Sequence, residues 1–381
     1  MKKILINDIG YLIKVPRIAI ISKIKIWQKR GFRVTILCPR AGRIFYEKYL
    51  ADVDFIVVPA CMDTRNNFIL IGEFLKRNIV ALFFLPVIRN RYDVIYSVSA
   101  VLDIVLLPWC LKVVDGKVKW SVVFDNIVPL KDPGNKIVRF LAWLFFLISV
   151  AVVHKADRIF AISQDLKLFL LENGFREEQV TVTGNAVEVE LIKKAVRTGD
   201  HTIDALFIGR INETKGIYDM LKILEEIKKI YPSFQLAIMG DGDELTKRDF
   251  RKTIKEKGLE ANIRFLGYRS GLDKFTVIKS SRCFWFFSVS ASESFGIALM
   301  EAVCSGVPAF AYDLPPYRTI YRNHEVTIIE KGNYRAATSR ILEFFKAGRF
   351  ENRNGTLLLD RYNWDAIADI EYNSMSSYDI V

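Results

Sequence analysis

Cysteine and histidine are scarce in this sequence, which bears on whether it forms disulfide bonds or a zinc site. The 381 residues contain 5 cysteines and 3 histidines. The cysteines are odd in number, widely scattered and free of any C-x-x-C spacing, so the sequence predicts neither a disulfide framework nor a zinc site. A reducing, cytosolic environment fits this usage best.

Long hydrophobic runs are also missing. The longest uncharged apolar segment, Phe140–Val153, has fourteen residues, whereas a spanning helix needs about 20. A second run, Asn78–Ile88, is interrupted by Pro86. Each run fits either a buried core helix or one lying in a membrane interface. The N-terminus has no signal-peptide pattern, because Asp8 and Gly10 interrupt its short apolar stretch, which predicts a first strand.

Positive charge, by contrast, is plentiful. The formal net charge is +12, and the first 43 residues hold eleven basic residues against the single acid Asp8. The basic residues are Lys2, Lys3, Lys14, Arg17, Lys23, Lys25, Lys29, Arg30, Arg33, Arg40 and Arg43. Such a field attracts nucleic acid, anionic lipid or phosphorylated substrates, or simply keeps a surface soluble. Together with the apolar runs it favours peripheral attachment to an anionic membrane, without nucleic acid as a partner.

Short Val- and Ile-rich runs alternate with helix-length intervals along the whole chain. Seven such runs precede a charged interval at residues 188–200, and six follow it. This pattern predicts an α/β protein with two Rossmann-like domains, over residues 1–187 and 188–361. Ligands of such folds bind beyond the carboxyl ends of the strands, and a cleft between two domains is the natural site.

One strand end combines two cations with glycines. The segment Phe207–Gly216 ends its strand at Gly209, continues with Arg210, and reaches Lys215 where a helix opens. An arginine can make paired hydrogen bonds to phosphate oxygens, while a lysine acts as a point charge beside the positive end of the helix. Arg210 and Lys215 therefore suit an anion, although such a pair beside a turn is more often an ordinary feature of a protein surface.

A second strand end, Ser292–Pro308, carries two glutamates around a Phe-Gly step. A helix is predicted from Phe295, capped by Ser294 and ended by Gly306 and Pro308. Its first N–H groups, at Phe295 and Gly296, would face a phosphate. Glu293 and Glu301 would lie roughly 12 Å apart if the interval were helical throughout, which suits a long ligand better than the close carboxylate pair of a glycoside hydrolase.

These motifs together resemble glycosyltransferase family 4, whose retaining nucleotide-sugar enzymes have the GT-B architecture. The resemblance rests on Glu293-x7-Glu301 with Phe295-Gly296, preceded by Gly209-Arg210 and Lys215. It implies that Arg210 and Lys215 hold the donor diphosphate, that Glu301 accepts from the ribose hydroxyls and that Glu293 holds the transferred sugar. It also implies that residues 362–381 form a helix crossing back onto the N-terminal domain.

The resemblance extends to weaker candidates as well. Gly10 follows the first strand, where many members have two glycines, and Asp125 follows a strand where many members place a histidine. We expect Gly10 to let the donor approach and Asp125 to orient the acceptor, although an ordinary Asp-Asn turn fits Asp125 equally well. Tyr268 lies in the Gly267–Arg269 segment, where the base is commonly selected.

The resulting prediction is a metal-independent, retaining hexosyltransferase without a cofactor, whose substrate is a nucleotide sugar, UDP- or GDP-linked. Its acceptor would be a lipid-linked or membrane-proximal glycan, in cell-surface polysaccharide, lipopolysaccharide or glycolipid assembly, at the cytoplasmic face of the cell membrane. In the family, same-face attack is thought to let the leaving phosphate accept the proton of the acceptor. Two alternatives share the fold: a nucleotide-sugar epimerase, and a catalytically silent membrane- or glycan-binding protein.

Overall fold

The computed structural model describes residues 2–10, 18–59, 67–130, 136–198 and 203–379. These residues form two compact units. The first contains the described residues up to Leu130, residues 136–185 and the C-terminal segment from Trp364, while the second spans Ala186–Asn363. The sequence prediction places the corresponding boundaries after residues 187 and 361.

The first unit is built on a seven-stranded parallel sheet in the order β3-β2-β1-β4-β5-β6-β7. Its strands are β1 (Lys3–Asn7), β2 (Arg33–Pro39), β3 (Asp54–Val58), β4 (Val94–Ser97), β5 (Lys119–Phe124), β6 (Arg158–Ala161) and β7 (Val180–Val182). The inner strands are almost wholly buried, as continuous apolar runs in a parallel sheet should be. All seven strands occur where the apolar runs predict them.

Helices connect these strands. They are α1 (Ile18–Lys29), α2 (Arg40–Tyr46), α3 (Asn67–Phe83), α4 (Leu85–Ile88), α5 (Leu102–Val114), α6 (Lys136–Val153) and α7 (Gln164–Glu172). Pro86 falls in the first turn of α4, where its missing N–H costs no hydrogen bond, so it separates α4 from α3.

Helix α6 is longer than the fourteen residues of its uncharged run, because the helix continues back through Arg139 to Lys136. It has 18 residues, and 22% of that span is buried. By length and composition it is the one helix in the described part of the chain that could cross a membrane.

The C-terminal helix, Trp364–Ser376, packs on α1 of the first unit. A buried network fixes it there: Lys23 Nζ donates to Glu371 Oε1 at 2.6 Å, and the Tyr96 hydroxyl donates to Glu371 Oε2 at 2.9 Å. Trp27 Nε1 also donates to the carbonyl of Ala368 at 3.1 Å. Both carboxylate oxygens of Glu371 are therefore paired, as a buried charge requires.

The second unit contains a six-stranded parallel sheet in the order β10-β9-β8-β11-β12-β13. Its strands are β8 (Ile203–Ile208), β9 (Leu236–Met239), β10 (Ile263–Gly267), β11 (Ser281–Phe286), β12 (Ala309–Tyr312) and β13 (Thr327–Ile329). Its helices are α8 (Val189–Lys194), α9 (Ile217–Lys228), α10 (Glu244–Glu256), α11 (Gly271–Lys279), α12 (Ile297–Cys304), α13 (Pro315–Ile320), α14 (Tyr334–Ala347) and α15 (Arg353–Thr356). The two parallel sheets with their helices confirm the predicted fold class.

Candidate functional site

The loops that follow β8 and β11 are joined at the carboxyl edge of the second sheet. The backbone N–H of Val289 donates to the carbonyl of Thr214 at 2.9 Å, and Ser288 Oγ donates to the same carbonyl at 3.1 Å. Gly216 makes this approach possible: its φ is +72°, and a Cβ there would lie 1.9 Å from the carbonyl oxygen of Phe287. Any larger residue at 216 would therefore push the two loops apart.

This junction brings Lys215 and Glu293 together. Lys215 Nζ forms an ion pair with Glu293 Oε2. Ser288 Oγ lies 3.2 Å from the same oxygen, so its single proton is shared between Glu293 and the carbonyl of Thr214. The two side chains are 20% and 12% exposed. Among the described residues Oε1 of Glu293 has no hydrogen-bond partner, so one carboxylate oxygen remains open to a ligand hydroxyl.

Helix α12 begins at Ile297, later than predicted, because Gly296 and not Ser294 is its N-cap residue. Gly296 has a φ of +72°, and a Cβ there would lie 2.8 Å from the hydroxyl oxygen of Tyr317. That hydroxyl is buried without a hydrogen-bond partner in the described part of the chain. Burial, followed by the charge of Glu293, raises the pKa of Tyr317 well above its usual range, so the hydroxyl stays a neutral donor.

The side chain of Phe295 anchors the loop before α12 in the core of the second unit. Its side chain is 2% exposed and packs edge-on against Tyr362, with ring centroids 5.5 Å apart. A ligand would therefore meet the backbone of Phe295, as the sequence predicts, and not its ring. The first N–H groups of α12 stay available because a helix leaves them without intrahelical partners.

Glu301 lies in the middle of α12 and is buried, with 7% exposure. Lys274 Nζ of α11 donates to its Oε1 at 2.5 Å. Burial raises the pKa of Glu301 above its ordinary value, and the Lys274 ammonium opposes that shift. Since the helix starts only at Ile297, the distance predicted for a fully helical interval between the two glutamates does not apply.

Backbone bonds also tie together the loops after β8, β9 and β10. Gly209 N–H donates to the Met239 carbonyl at 3.0 Å, and Gly240 N–H donates to the Gly267 carbonyl at 2.9 Å. Arg210 is exposed and makes no ion pair with any described residue. Tyr268 is 72% exposed, so its ring is available for stacking. In the described part of the chain, this edge thus presents the unpaired guanidinium of Arg210 and the exposed ring of Tyr268.

The candidates of the first unit lie at the carboxyl ends of β1 and β5. A Cβ on Gly10 would lie 3.3 Å from Asp103 Oδ2 and from Ile104 Cδ1, so the chain passes close to α5 there. Asp125 is half-buried and accepts a hydrogen bond from Ser99 Oγ at 3.0 Å. That bond links the ends of β4 and β5 and holds the carboxylate in a fixed place.

The basic N-terminal segment is less uniform than its sequence indicates. Lys23 is buried against Glu371, so the expectation that it belongs to an exposed basic face is wrong. Lys25 and Lys29 are exposed, and Arg30 pairs with Asp369 at 2.5 Å. Lys14 and Arg17 lie outside the described residues. The exposed positive charge of α1 therefore rests on Lys25 and Lys29.

Three residues that take part in the site were not predicted: Ser288, Lys274 and Tyr317. Ser288 follows an aromatic strand in a run of small residues, and Lys274 is one of two lysines on α11. Tyr317 comes after a Pro-Pro step on α13. None belongs to a recognisable local motif, so only the tertiary structure shows that they lie in the site. Across the described ranges, no three His, Cys, Asp or Glu side chains gather as metal ligands would.

Two family profiles match the chain in adjacent parts. The profile described as "Glycosyltransferase Family 4" matches residues 24–191. The profile described as "Glycosyl transferases group 1" matches residues 188–356. The two matches join where the chain passes from the first unit to the second.

Curated relatives include a phosphatidyl-myo-inositol mannosyltransferase from Mycobacterium leprae, 30% identical over 168 residues, which are 43% of this chain and 43% of the relative. A GDP-mannose:cellobiosyl-diphosphopolyprenol alpha-mannosyltransferase from Xanthomonas oryzae is 27% identical over 164 residues, 42% of this chain and 43% of the relative. The chain thus matches less than half the length of these relatives.

Solved structures share the whole fold. Anabaena HepE in complex with UDP and glucose has a TM-score of 0.74 at 15% identity, over 99% of this chain and 100% of its own. Sucrose-phosphate synthase from Thermosynechococcus elongatus has a TM-score of 0.76 at 15% identity, over 100% of both chains. At this identity the likeness concerns the fold alone.

Proposed function

Because the chain belongs to glycosyltransferase family 4, we propose that it transfers a hexosyl group from a nucleotide-sugar donor to a lipid-linked or membrane-proximal glycan. The donor is UDP- or GDP-linked, the anomeric configuration is retained and no metal takes part. The acceptor is drawn from the relatives' names, which include a phosphatidyl-myo-inositol and a diphosphopolyprenol.

The observation that carries this proposal is the Lys215–Glu293 pair beside Gly296. Lys215 and the exposed Arg210 supply two positive charges for the donor diphosphate, and the first turn of α12 adds its N–H groups. Glu293 keeps one open oxygen for a hydroxyl of the transferred sugar. Glu301 keeps Oε2 open for the ribose, and Tyr268 offers its ring to the base.

These groups favour a reaction in which the protein positions its substrates and neutralises charge. As the bond between the sugar and the diphosphate breaks, the bonding electrons pass to the diphosphate, which Arg210 and Lys215 stabilise. The acceptor oxygen bonds to the sugar carbon from the same face, and its proton passes to the departing phosphate oxygen. Asp125, held by Ser99, orients the acceptor.

The two alternatives from the sequence are not favoured by the comparisons. The curated relatives are named as glycosyltransferases, and the likeness to a putative UDP-N-acetylglucosamine 2-epimerase from Listeria monocytogenes is 14% identity at a TM-score of 0.64, which concerns the fold alone. We place the protein at the cytoplasmic face of a membrane, supported by the apolar faces of α3 and α6 and by Lys25 and Lys29.

Calorimetric titration with UDP, GDP, ADP and CDP tests the donor, each in EDTA and again with Mg²⁺. We expect one diphosphate to bind at least tenfold more tightly than the others, with the same affinity in both buffers. Absence of binding by all four would refute the function. An affinity that depends on Mg²⁺ would refute the metal-independent form of it.

A further inference from the structure

The first unit contains an apolar cavity of about 290 Å³ between α3, α5 and α6. Its wall includes Phe74 of α3, Leu102 of α5, and Ala142 and Phe145 of α6. Phe74 and Phe145 stack with ring centroids 4.8 Å apart, which joins α3 to α6. An engineered apolar cavity of roughly 150 Å³ takes up benzene, so this one has room for on the order of ten hydrocarbon carbons.

The apolar wall also contains the polar residues Arg77, Ser149 and Asn126, of which Arg77 is charged. The Arg77 side chain is 7% exposed and forms an ion pair with Asp103, Nη1 to Oδ2, at 3.1 Å. Its Nε–H is buried and has no hydrogen-bond partner among the described residues. A buried donor without a partner is costly unless an oxygen reaches it. The cavity is thus suited to a molecule with an apolar chain and an oxygen-rich end.

The outer faces of the same two helices are apolar as well. On α3 the exposed residues Leu75, Ile79, Leu82 and Phe83 recur at helical spacing, and on α6 Ile137, Phe140, Leu144, Leu147 and Ile148 do the same. Exposed apolar side chains that repeat along one face of a helix suit a contact with lipid or protein. Because these apolar faces belong to α3 and α6, which also line the apolar cavity, a lipid that fills the cavity and continues along the helices suits them better than a protein.

The cavity also extends to the candidate acceptor site. Val101, 44% exposed, and the exposed Asn126 line it at the carboxyl ends of β4 and β5. Asn126 is the chain neighbour of Asp125, whose carboxylate is held by Ser99. The cavity therefore reaches the end of β5, next in sequence to the residue proposed to orient the acceptor.

From this arrangement we infer that the cavity binds the hydrocarbon chain of the acceptor lipid, with the first polar group of that lipid near Arg77. The inference rests on the proposed function and names the acceptor subsite for it. About ten carbons are enclosed and the rest of a longer chain continues along the apolar faces of α3 and α6.

The test uses hexyl, octyl and decyl phosphate, below their micellar concentrations, as calorimetric probes of the full-length protein. Burial of each methylene raises affinity by about fourfold, so decyl phosphate should bind far more tightly than hexyl phosphate. Ala142→Trp narrows the cavity from an exposed position, and Val101→Trp does so from a second one. Both should weaken decyl phosphate at least thirtyfold and flatten the dependence on chain length.

Ala151→Trp is the matched control, since Ala151 is exposed on the same helix and does not line the cavity. It should bind the probes as the unmodified protein does. Every variant should keep its affinity for the preferred nucleoside diphosphate. That measurement shows that the variant is folded and that the donor site is intact, so a failure of this inference can be told apart from a failure of the proposed function. Unchanged chain-length dependence in both cavity variants would overturn the inference. So would loss of flotation on phosphatidylglycerol vesicles by Ala142→Trp, because the cavity would then hold bulk membrane lipid.

Discussion

Replacing Glu293 with glutamine should change donor binding and catalysis in opposite directions. The Lys215 ammonium is paired with Glu293 Oε2. A diphosphate must share that ammonium with the carboxylate, and the glutamine releases it. The substitution also removes the charged acceptor that is proposed to bind a sugar hydroxyl during transfer.

The size of both effects follows from the pair's surroundings. A hydrogen bond to a charged group contributes about 1.5–3 kcal/mol, and the partial exposure of this pair reduces the gain on release to about 1 kcal/mol. The Kd for the nucleoside diphosphate should therefore fall about fivefold. Loss of the sugar contact, about 3 kcal/mol in the transition state, should lower kcat/KM by roughly a hundredfold.

Glu301→Gln provides the contrast, since Glu301 also pairs with a lysine but is proposed to bind ribose. This variant should bind the preferred nucleoside diphosphate about tenfold more weakly than the unmodified protein does. The variant should also bind the 2′-deoxy form of that nucleotide with nearly the same Kd as the ribose form. Calorimetry on both variants gives the Kd values, and a radiolabelled transfer assay gives kcat/KM. If Glu293→Gln weakened the diphosphate as much as it slowed transfer, the assignment of Glu293 to the sugar would be wrong.

Four further outcomes are expected. Arg210→Ala should weaken every diphosphate that binds by about tenfold in calorimetry, because the guanidinium faces the part they share. Lys25→Glu with Lys29→Glu should reduce flotation on anionic vesicles at low salt, and added salt should remove the difference. Glu371→Gln leaves a buried ammonium unpaired and should destabilise the first unit by about 3–5 kcal/mol, measured as faster hydrogen exchange in the C-terminal helix. As pH falls from neutral, protonation of Glu301 should begin early because burial raises its pKa. Calorimetry should therefore show diphosphate affinity declining more steeply in the unmodified protein than in Glu301→Gln, in which the terminal phosphate of the ligand, with a second pKa of about 6, still gains a proton.

Local sequence patterns predicted the strands because each strand is a short apolar run between polar turns. In the structure these runs form buried strands. Arg210 with Lys215, and Glu293 with Glu301, could be recognised as candidates for the same reason, since each pair lies within one short stretch of sequence. Gly216 and Gly296 could be recognised only as turn residues. Their need for glycine comes from Phe287 and Tyr317, which are distant in sequence.

The errors have the same physical origin. Lys23 was assigned to a basic surface because its sequence neighbours are basic, whereas its partner Glu371 lies 348 residues away. Ser294 is a suitable capping residue by type, yet the conformation of Gly296 places the start of the helix after it. Helix α6 extends beyond its uncharged run of fourteen residues, because a helix can continue through a charged residue such as Arg139 at its margin.

Three lysine–glutamate pairs in this chain show how a ligand-binding carboxylate differs from a structural one. Glu371 is fully buried, and Lys23 and Tyr96 take up both of its oxygens, so it has nothing left for a ligand. Glu293 and Glu301 each retain one oxygen without a partner among the described residues. A lysine that holds one oxygen and leaves the other free keeps the carboxylate charged and in place, which is the state that a sugar or ribose hydroxyl requires.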